Sequence, residues 1–227
     1  MNGKNIIVID LEFAMLNRFD VVLVSGAMSN ISVNSHIFKL QGNPIVLQRN
    51  PPLNYLLKKE QQKTLIHNIL RIFKNNNDLT MPIINELELS VCKKYSSLTQ
   101  TNILSYLQHR NNTPIIITWN GDMDSTILKQ MGINCEIYTL TGYDNHNNGY
   151  YYLKLSNIKN KKTILAETEL GFFDKRGRLL SLSEAHNLIC RTDHNNTYLH
   201  DPITDVSLTK CLYHFLNNRT QIDFNLG

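Results

Sequence analysis

Cysteine is scarce in this chain, and what is present is not paired by spacing. The 227 residues hold four, Cys92, Cys135, Cys190 and Cys211, with no Cys-x-x-Cys among them. That argues against a zinc ribbon or a disulfide framework and for reduced thiols. Long apolar runs are missing too, since no stretch approaches the ~20 residues that a spanning helix needs. The one apolar segment near the N-terminus is interrupted by Asp10 and Glu12, so no signal peptide is expected. These absences point to a soluble, cytoplasmic protein with no membrane partner. Excess charge is modest: a net +4 permits a polyanionic partner without demanding one. No internal repeat, low-complexity block or shift of composition marks a boundary. With 42% hydrophobic and 19% charged residues, residues 1–227 are expected to fold as a single domain.

What stands out is Ile6-Ile7-Val8-Ile9-Asp10-Leu11-Glu12-Phe13. Four consecutive β-favouring residues read as a buried central strand. Period-2 alternation puts the Asp10 and Glu12 carboxylates on one face of it. Two adjacent acids in a core repel each other and lack solvent, so a positive group belongs between them. A hard divalent cation fits, because it takes carboxylate oxygens and keeps waters for chemistry. Asp-x-Glu after an apolar run is nevertheless common, and other clusters must decide.

Further along, 20–27 and 35–40 read as second and third strands of an antiparallel meander, and Pro44, Pro51 and Pro52 punctuate a loop. Helical spacing over 53–73 predicts helix, with a polar gap at 58–63 that could split it. Residues 82–95 could form another helix, and Ser97-Leu98-Thr99-Gln100 has the form of a capping box opening a further one. Pro114-Ile115-Ile116-Ile117-Thr118-Trp119 is the next buried strand. It feeds a helix that runs to Met131, with Gly132 placed to end it. A short strand at 137–140 precedes a polar segment at 143–162, read as a variable surface excursion. Helices starting at Ser181 and after Asp201-Pro202 close the chain. The order of elements predicts one α/β domain on a mixed sheet.

Two more acidic clusters sit at helix starts. If the helix after Trp119 begins near Met123, Asp122 occupies the N-cap position. Asp124 then lies three and four residues before Ile127 and Leu128, on the inward stripe, so a metal or catalytic role falls on Asp124. The third cluster is His200 and Asp205, five residues apart across a loop-to-helix junction.

Asp10-x-Glu12, Asn120-x-x-x-Asp124 and His200-x-x-x-x-Asp205, in this order, resemble the three exonuclease motifs of the DEDDh family. The Thr118-Trp119 lead-in and Leu182-Ser183-Glu184-Ala185 are most similar to its branch that trims small RNAs and histone mRNA, with bacterial and phage relatives. The likeness spans residues 6 to about 216. It departs on the second strand, where that branch carries a Glu and this chain has Val22, Leu23 and Val24.

The resemblance implies a ribonuclease H-like fold, a five-stranded mixed sheet with its first strands antiparallel, flanked by helices. It implies a metal-dependent 3′–5′ exonuclease acting on the 3′ end of single-stranded RNA or DNA, with RNA favoured. Two Mg²⁺ or Mn²⁺ ions about 4 Å apart would be held by Asp10, Glu12, Asp124 and Asp205, and His200 would act as general base. Phe13, Met15 and Leu16 could wedge against a terminal base. Lys58, Lys59 and Lys63, or the lysines of 154–162, could track phosphates. Two other readings compete: a catalytically silent nucleic-acid-binding or regulatory module on the same fold, and a zinc protein using His186, Cys190, His194 and His200, whose spacings match no standard site.

Overall fold

The β-branched run near the N-terminus becomes the middle of a sheet. A computed structural model describes residues 5–15, 21–32, 34–40, 45–47, 54–56, 59–73, 91–93, 114–145, 150–161, 163–166, 177–190 and 200–220. The strands are β1 (Ile6–Met15), β2 (Val21–Asn30), β3 (Phe38–Leu40), β4 (Ile45–Leu47), β5 (Asn54–Leu56), β6 (Val91–Lys93), β7 (Ile115–Trp119), β8 (Glu136–Asn145), β9 (Tyr150–Asn157), β10 (Thr163–Ala166) and β11 (Arg178–Leu179). The helices are α1 (Lys59–Phe73), α2 (Asp122–Gln130), α3 (Leu182–Ala185) and α4 (Pro202–Thr220), and a π-helical turn, His186–Cys190, runs on from α3.

β1 pairs antiparallel with β2 and parallel with β7, and β7 pairs parallel with β8. The full order is β10-β9-β8-β7-β1-β2-β4-β6-β5, with β3 also on β2 and β11 on β8. This is the expected mixed sheet flanked by helices, and it is wider than five strands. Among the described residues no helix is long and apolar enough to cross a membrane.

The sheet has an apolar core on each face. Ile7, Ile9 and Leu11 pack with Ile116 and with Ile127, Leu128 and Met131, the last at the end of α2. Val8, Ile115 and Ile117 pack with Val206, Leu212, Tyr213 and Leu216 of α4. Ile127 and Leu128 are fully buried, and removal of each from water is worth about 1.5–3 kcal/mol, so the first turns of α2 are seated firmly on β1. α4 is further fastened to the end of β2. Lys210 Nζ donates to Ser29 Oγ (3.0 Å) and to the Ser35 carbonyl (3.4 Å), and His214 Nε2 lies 2.6 Å from the Ile31 carbonyl.

Three expectations need correction. Residues 54–56 form β5, paired with β6, and the helix starts only at Lys59; strand pairing overrides a short helical period. Within 82–95, residues 91–93 are β6, while the rest of that stretch and the helix expected from Ser97 lie outside the described residues. Third, most of the described part of 143–162 is strand and not a surface excursion. β8 continues to Asn145 and returns as β9, with Leu153 and Leu155 fully buried and Tyr152 stacked on its cross-strand partner Tyr143. Its buried positions mix Leu153 and Leu155 with Asp144, Ser156 and Asn157, so the stretch has no clean apolar alternation and its composition resembles a loop.

Candidate active site

The parallel pairing of β1 and β7 stops early. It runs only from Ile6 to Val8 against Ile115 to Ile117. Beyond it β7 ends and turns into α2, so Asp10 and Glu12 lie just past the last shared rung, at the carboxyl ends of parallel strands, where open α/β sheets form a crevice. Both have the parity of Val8, which packs in the core shared with α4, so their side chains face α4. The ladder to β2 carries an irregularity directly after Glu12, where Glu12 is opposite Ser25 and Phe13 opposite Leu23. Such a bulge bends a strand and re-aims its side chains.

The turn into α2 is tight. Asn120 adopts a left-handed φ of 47°, which asparagine tolerates better than most residues. Its N–H donates to the Leu140 carbonyl (3.1 Å), and the Gly121 N–H donates to Thr139 Oγ1 (3.0 Å). A Cβ at Gly121 would overlap the Thr118 hydroxyl, so the turn takes only glycine there. Gly121 is also the N-cap, with no side-chain capping bond. This corrects the expectation for Asp122, which is the first helical residue. Its carboxylate is exposed and sits 3.5 Å from Lys161 Nζ, itself exposed.

Asp124 is buried, and its Oδ1 accepts the Leu11 N–H at 3.0 Å. That amide faces the side from which β7 has departed, and a buried donor left without its ladder partner needs another acceptor. The hydrogen bond therefore plants Asp124 between Asp10 and Glu12 along β1.

The α4 side is built by a helix start. Asp201 accepts from the Thr204 N–H (3.2 Å) and hydroxyl (2.9 Å), and Pro202 opens the helix. The cap and first-turn proline are as expected from Asp201-Pro202. His200 enters with φ 63°, a region that non-glycine residues occupy at a cost of about 1–3 kcal/mol. Its Nδ1 is 4.0 Å from Glu12 Oε1, and its side chain is about half exposed, at 54%. Donor atoms of Glu12, His200 and Asp205 lie within 4.8 Å of one another, so these three form a group that could hold a metal ion.

Asp10 and Asp124 join the same cluster through charge. Burial, then Glu12, Asp124, Asp205 and Asp201, hold the Asp10 carboxyl well above the ordinary range. Burial, then Asp205, Asp124 and Asp201, push Glu12 up to about 9. Burial lifts Asp124 to about 7, although its bond from the Leu11 N–H pulls the other way. Asp205 is lifted to about 7 by burial and by Asp201. Among the described residues the charges acting on Asp10 are thus of one sign, which a multivalent cation would relieve.

The donor set fits a hard divalent ion. Asp10 Oδ2 is sealed from solvent with no hydrogen-bond partner among the described residues, an arrangement that costs free energy unless something binds it. Carboxylate oxygens are the ligands that Mg²⁺ and Mn²⁺ prefer. Asp201 was expected only as a cap. Its added negative charge in the pocket had no sequence signal beyond its nearness to Asp205.

Of the side chains considered for substrate grip, Phe13 packs partly against the core on the α2 face, Met15 is exposed, and Leu16 lies outside the described residues. Lys63, Lys159 and Lys161 are exposed, Lys154 is half-buried, and Lys58 and Lys162 lie outside the described residues. His200 sits with Glu12 and Asp205, away from the group that His186 and Cys190 form with Cys211; His194 lies outside the described residues. Compared with known proteins, the chain matches no family model and no curated protein.

Proposed function

We propose that the chain is a 3′–5′ exonuclease of the DEDDh type, hydrolysing phosphodiester bonds at the 3′ end of single-stranded nucleic acid, RNA in preference to DNA. The observation that carries this reading is the gathering of Asp10, Glu12, Asp124 and Asp205 with His200 in one crevice. They come from three distant parts of the chain, in the order of the family's motifs. The antiparallel β1-β2-β3 set continued by parallel β7 and β8 is compatible with a ribonuclease H-like sheet, to which β9 and β10 add further strands.

Asp10, Glu12, Asp124 and Asp205 would hold the divalent ions, two Mg²⁺ or Mn²⁺. Held by these residues, such ions would supply positive charge to the attacked phosphate and the leaving oxygen. The chain's own part is positioning and proton transfer. β1 and α2 fix three carboxylates rigidly through the Leu11 N–H bond to Asp124, and the Asp201 cap orients Asp205 on α4. His200, half exposed beside Glu12, is within reach of solvent and takes the proton of the attacking water at an imidazole nitrogen.

The test uses matched RNA and DNA oligonucleotides labelled separately at each end, with Mg²⁺ or Mn²⁺ and with chelator. Loss of nucleotides from the 3′ end, faster on RNA and abolished by chelator, is expected. Binding of the oligonucleotide with no shortening in either metal would instead identify a silent binding module.

A further inference from the structure

We propose that His186, Cys190 and Cys211 form a second metal site, separate from the acidic crevice, that takes one thiophilic divalent ion, zinc in the first place, and pins the π-helical turn to α4. One ring nitrogen of His186 and the two sulfurs lie within 4.8 Å of one another. A tetrahedral zinc ion, with Zn–S about 2.3 Å and Zn–N about 2.0–2.1 Å, sets its ligand atoms roughly 3.6–3.8 Å apart. Small side-chain rotations close the remaining distance.

The local backbone favours this use. His186 and Cys190 are the first and last residues of the π-helical turn. A π turn, closed by i→i+5 bonds, is wider than the 3.6-residue α turn and brings residues four apart nearer to eclipse. Such turns are rare and concentrate at functional sites. Cys211 is supplied from the middle of α4, which packs on that turn. His186 is fully buried, and both cysteines are partly buried.

Ligand chemistry chooses the metal. Two sulfurs and an imidazole select zinc or another soft ion over Mg²⁺, whereas the oxygen-only carboxylates of the crevice select the reverse. Binding releases one proton from each thiol, and Zn²⁺ with two thiolates and a neutral imidazole carries no net charge. That suits surroundings where Leu188 and Ile189 pack with Leu212 and Tyr213. With three protein ligands the fourth position is left to water.

The proposal does not rest on the exonuclease reading, and its readout is optical. The full chain is stripped with chelator, kept reduced with a phosphine, and titrated with Co²⁺, whose thiolate complexes absorb by charge transfer in the near ultraviolet while carboxylate complexes do not. The expected result is a thiolate band that saturates at one ion per chain and is displaced by zinc. It should be lost in Cys190→Ser and in Cys211→Ser and retained in Cys135→Ser and Asp124→Asn. Should a serine variant fail to fold, thiol counting on the unaltered chain decides, since zinc should then protect two thiols from a thiol reagent. Absence of the band, its survival in both serine variants, or thiols equally reactive with and without zinc would overturn the site. So would a Cys190–Cys211 disulfide whose reduction yields no cobalt band.

Discussion

Two clusters of charge in this molecule are handled in opposite ways. Around α3, Glu184 has every partner it needs. Its Oε2 accepts from the Ser181 N–H and hydroxyl, both at 2.9 Å, and its Oε1 accepts from Arg178 at 2.9 Å. Its own N–H donates to Ser181 Oγ, completing a capping box. The backbone bond from Ser181, then the Arg178 and Ser181 side chains, lower its carboxyl to about 2. In the crevice beside α4, burial and like charges raise the carboxyls instead. The first cluster is finished by protein atoms alone, and so reads as structure. Among the described residues the second gathers raised carboxyls, the charge pattern that the proposed metal site calls for.

Breaking the crevice should have the largest effect. Asp124→Asn keeps an oxygen that accepts the Leu11 N–H but removes a ligand charge. Nucleotide release should fall about a thousandfold or more, by the several kcal/mol that metal charge supplies. The metal-free chain should melt no lower than the unaltered one, because a like charge has gone. Retained turnover with a lowered melting temperature would reverse the assignment of the two roles. His200→Asn comes next, with a loss of about 10²–10⁴-fold if His200 is the general base. Asparagine tolerates the left-handed backbone, so melting should not move, and an unchanged rate would remove His200 from the reaction.

Much of this crevice was legible in the sequence because its signals are local. Parity on β1 put Asp10 and Glu12 on one face, and the inward stripe of α2 picked Asp124 over Asp122. The αL turn at Asn120 was not foreseen, and it shifted the cap from Asp122 to Gly121. Ser181-x-x-Glu184 carries the same capping pattern in sequence as Ser97-x-x-Gln100, and there it forms the box. The β8–β9 pairing escapes a period-2 reading because Asp144, Ser156 and Asn157 are buried beside Leu153 and Leu155. Cys211 had no signal at all, since its neighbours in space, His186 and Cys190, are brought to it only by the packing of α4.

The two clusters should also answer pH with opposite signs. A carboxyl whose folded pKa is raised favours the folded state at low pH, and that advantage is lost as pH climbs through the folded value. For Glu12 the window runs from the ordinary 4.5 to about 9, and for Asp124 and Asp205 from 3.8 to about 7. Glu184 is the reverse: its contribution is complete above 4.5 and is lost as pH falls towards about 2. The metal-free chain should therefore melt at progressively lower temperature as pH rises through the crevice's windows. Added Mg²⁺ or Mn²⁺ should restore the melting temperature most at the alkaline end. A flat profile, unchanged by metal, would mean that the crevice carries no such strain.

The smallest effects sharpen the contrast at the level of single caps. Ser181→Ala removes the hydroxyl that accepts the Glu184 N–H and donates to its carboxylate, and should cost about 1 kcal/mol in denaturant unfolding. Asp122→Asn removes an exposed carboxylate that makes no cap bond and, among the described residues, meets the exposed Lys161 at 3.5 Å. An exposed pair of this kind is worth about 0–1 kcal/mol, so unfolding and nucleotide release should both stay close to those of the unaltered chain. A loss of turnover in Asp122→Asn comparable to that in Asp124→Asn would mean that the first turn of α2 rotates when substrate binds and brings Asp122 into the crevice.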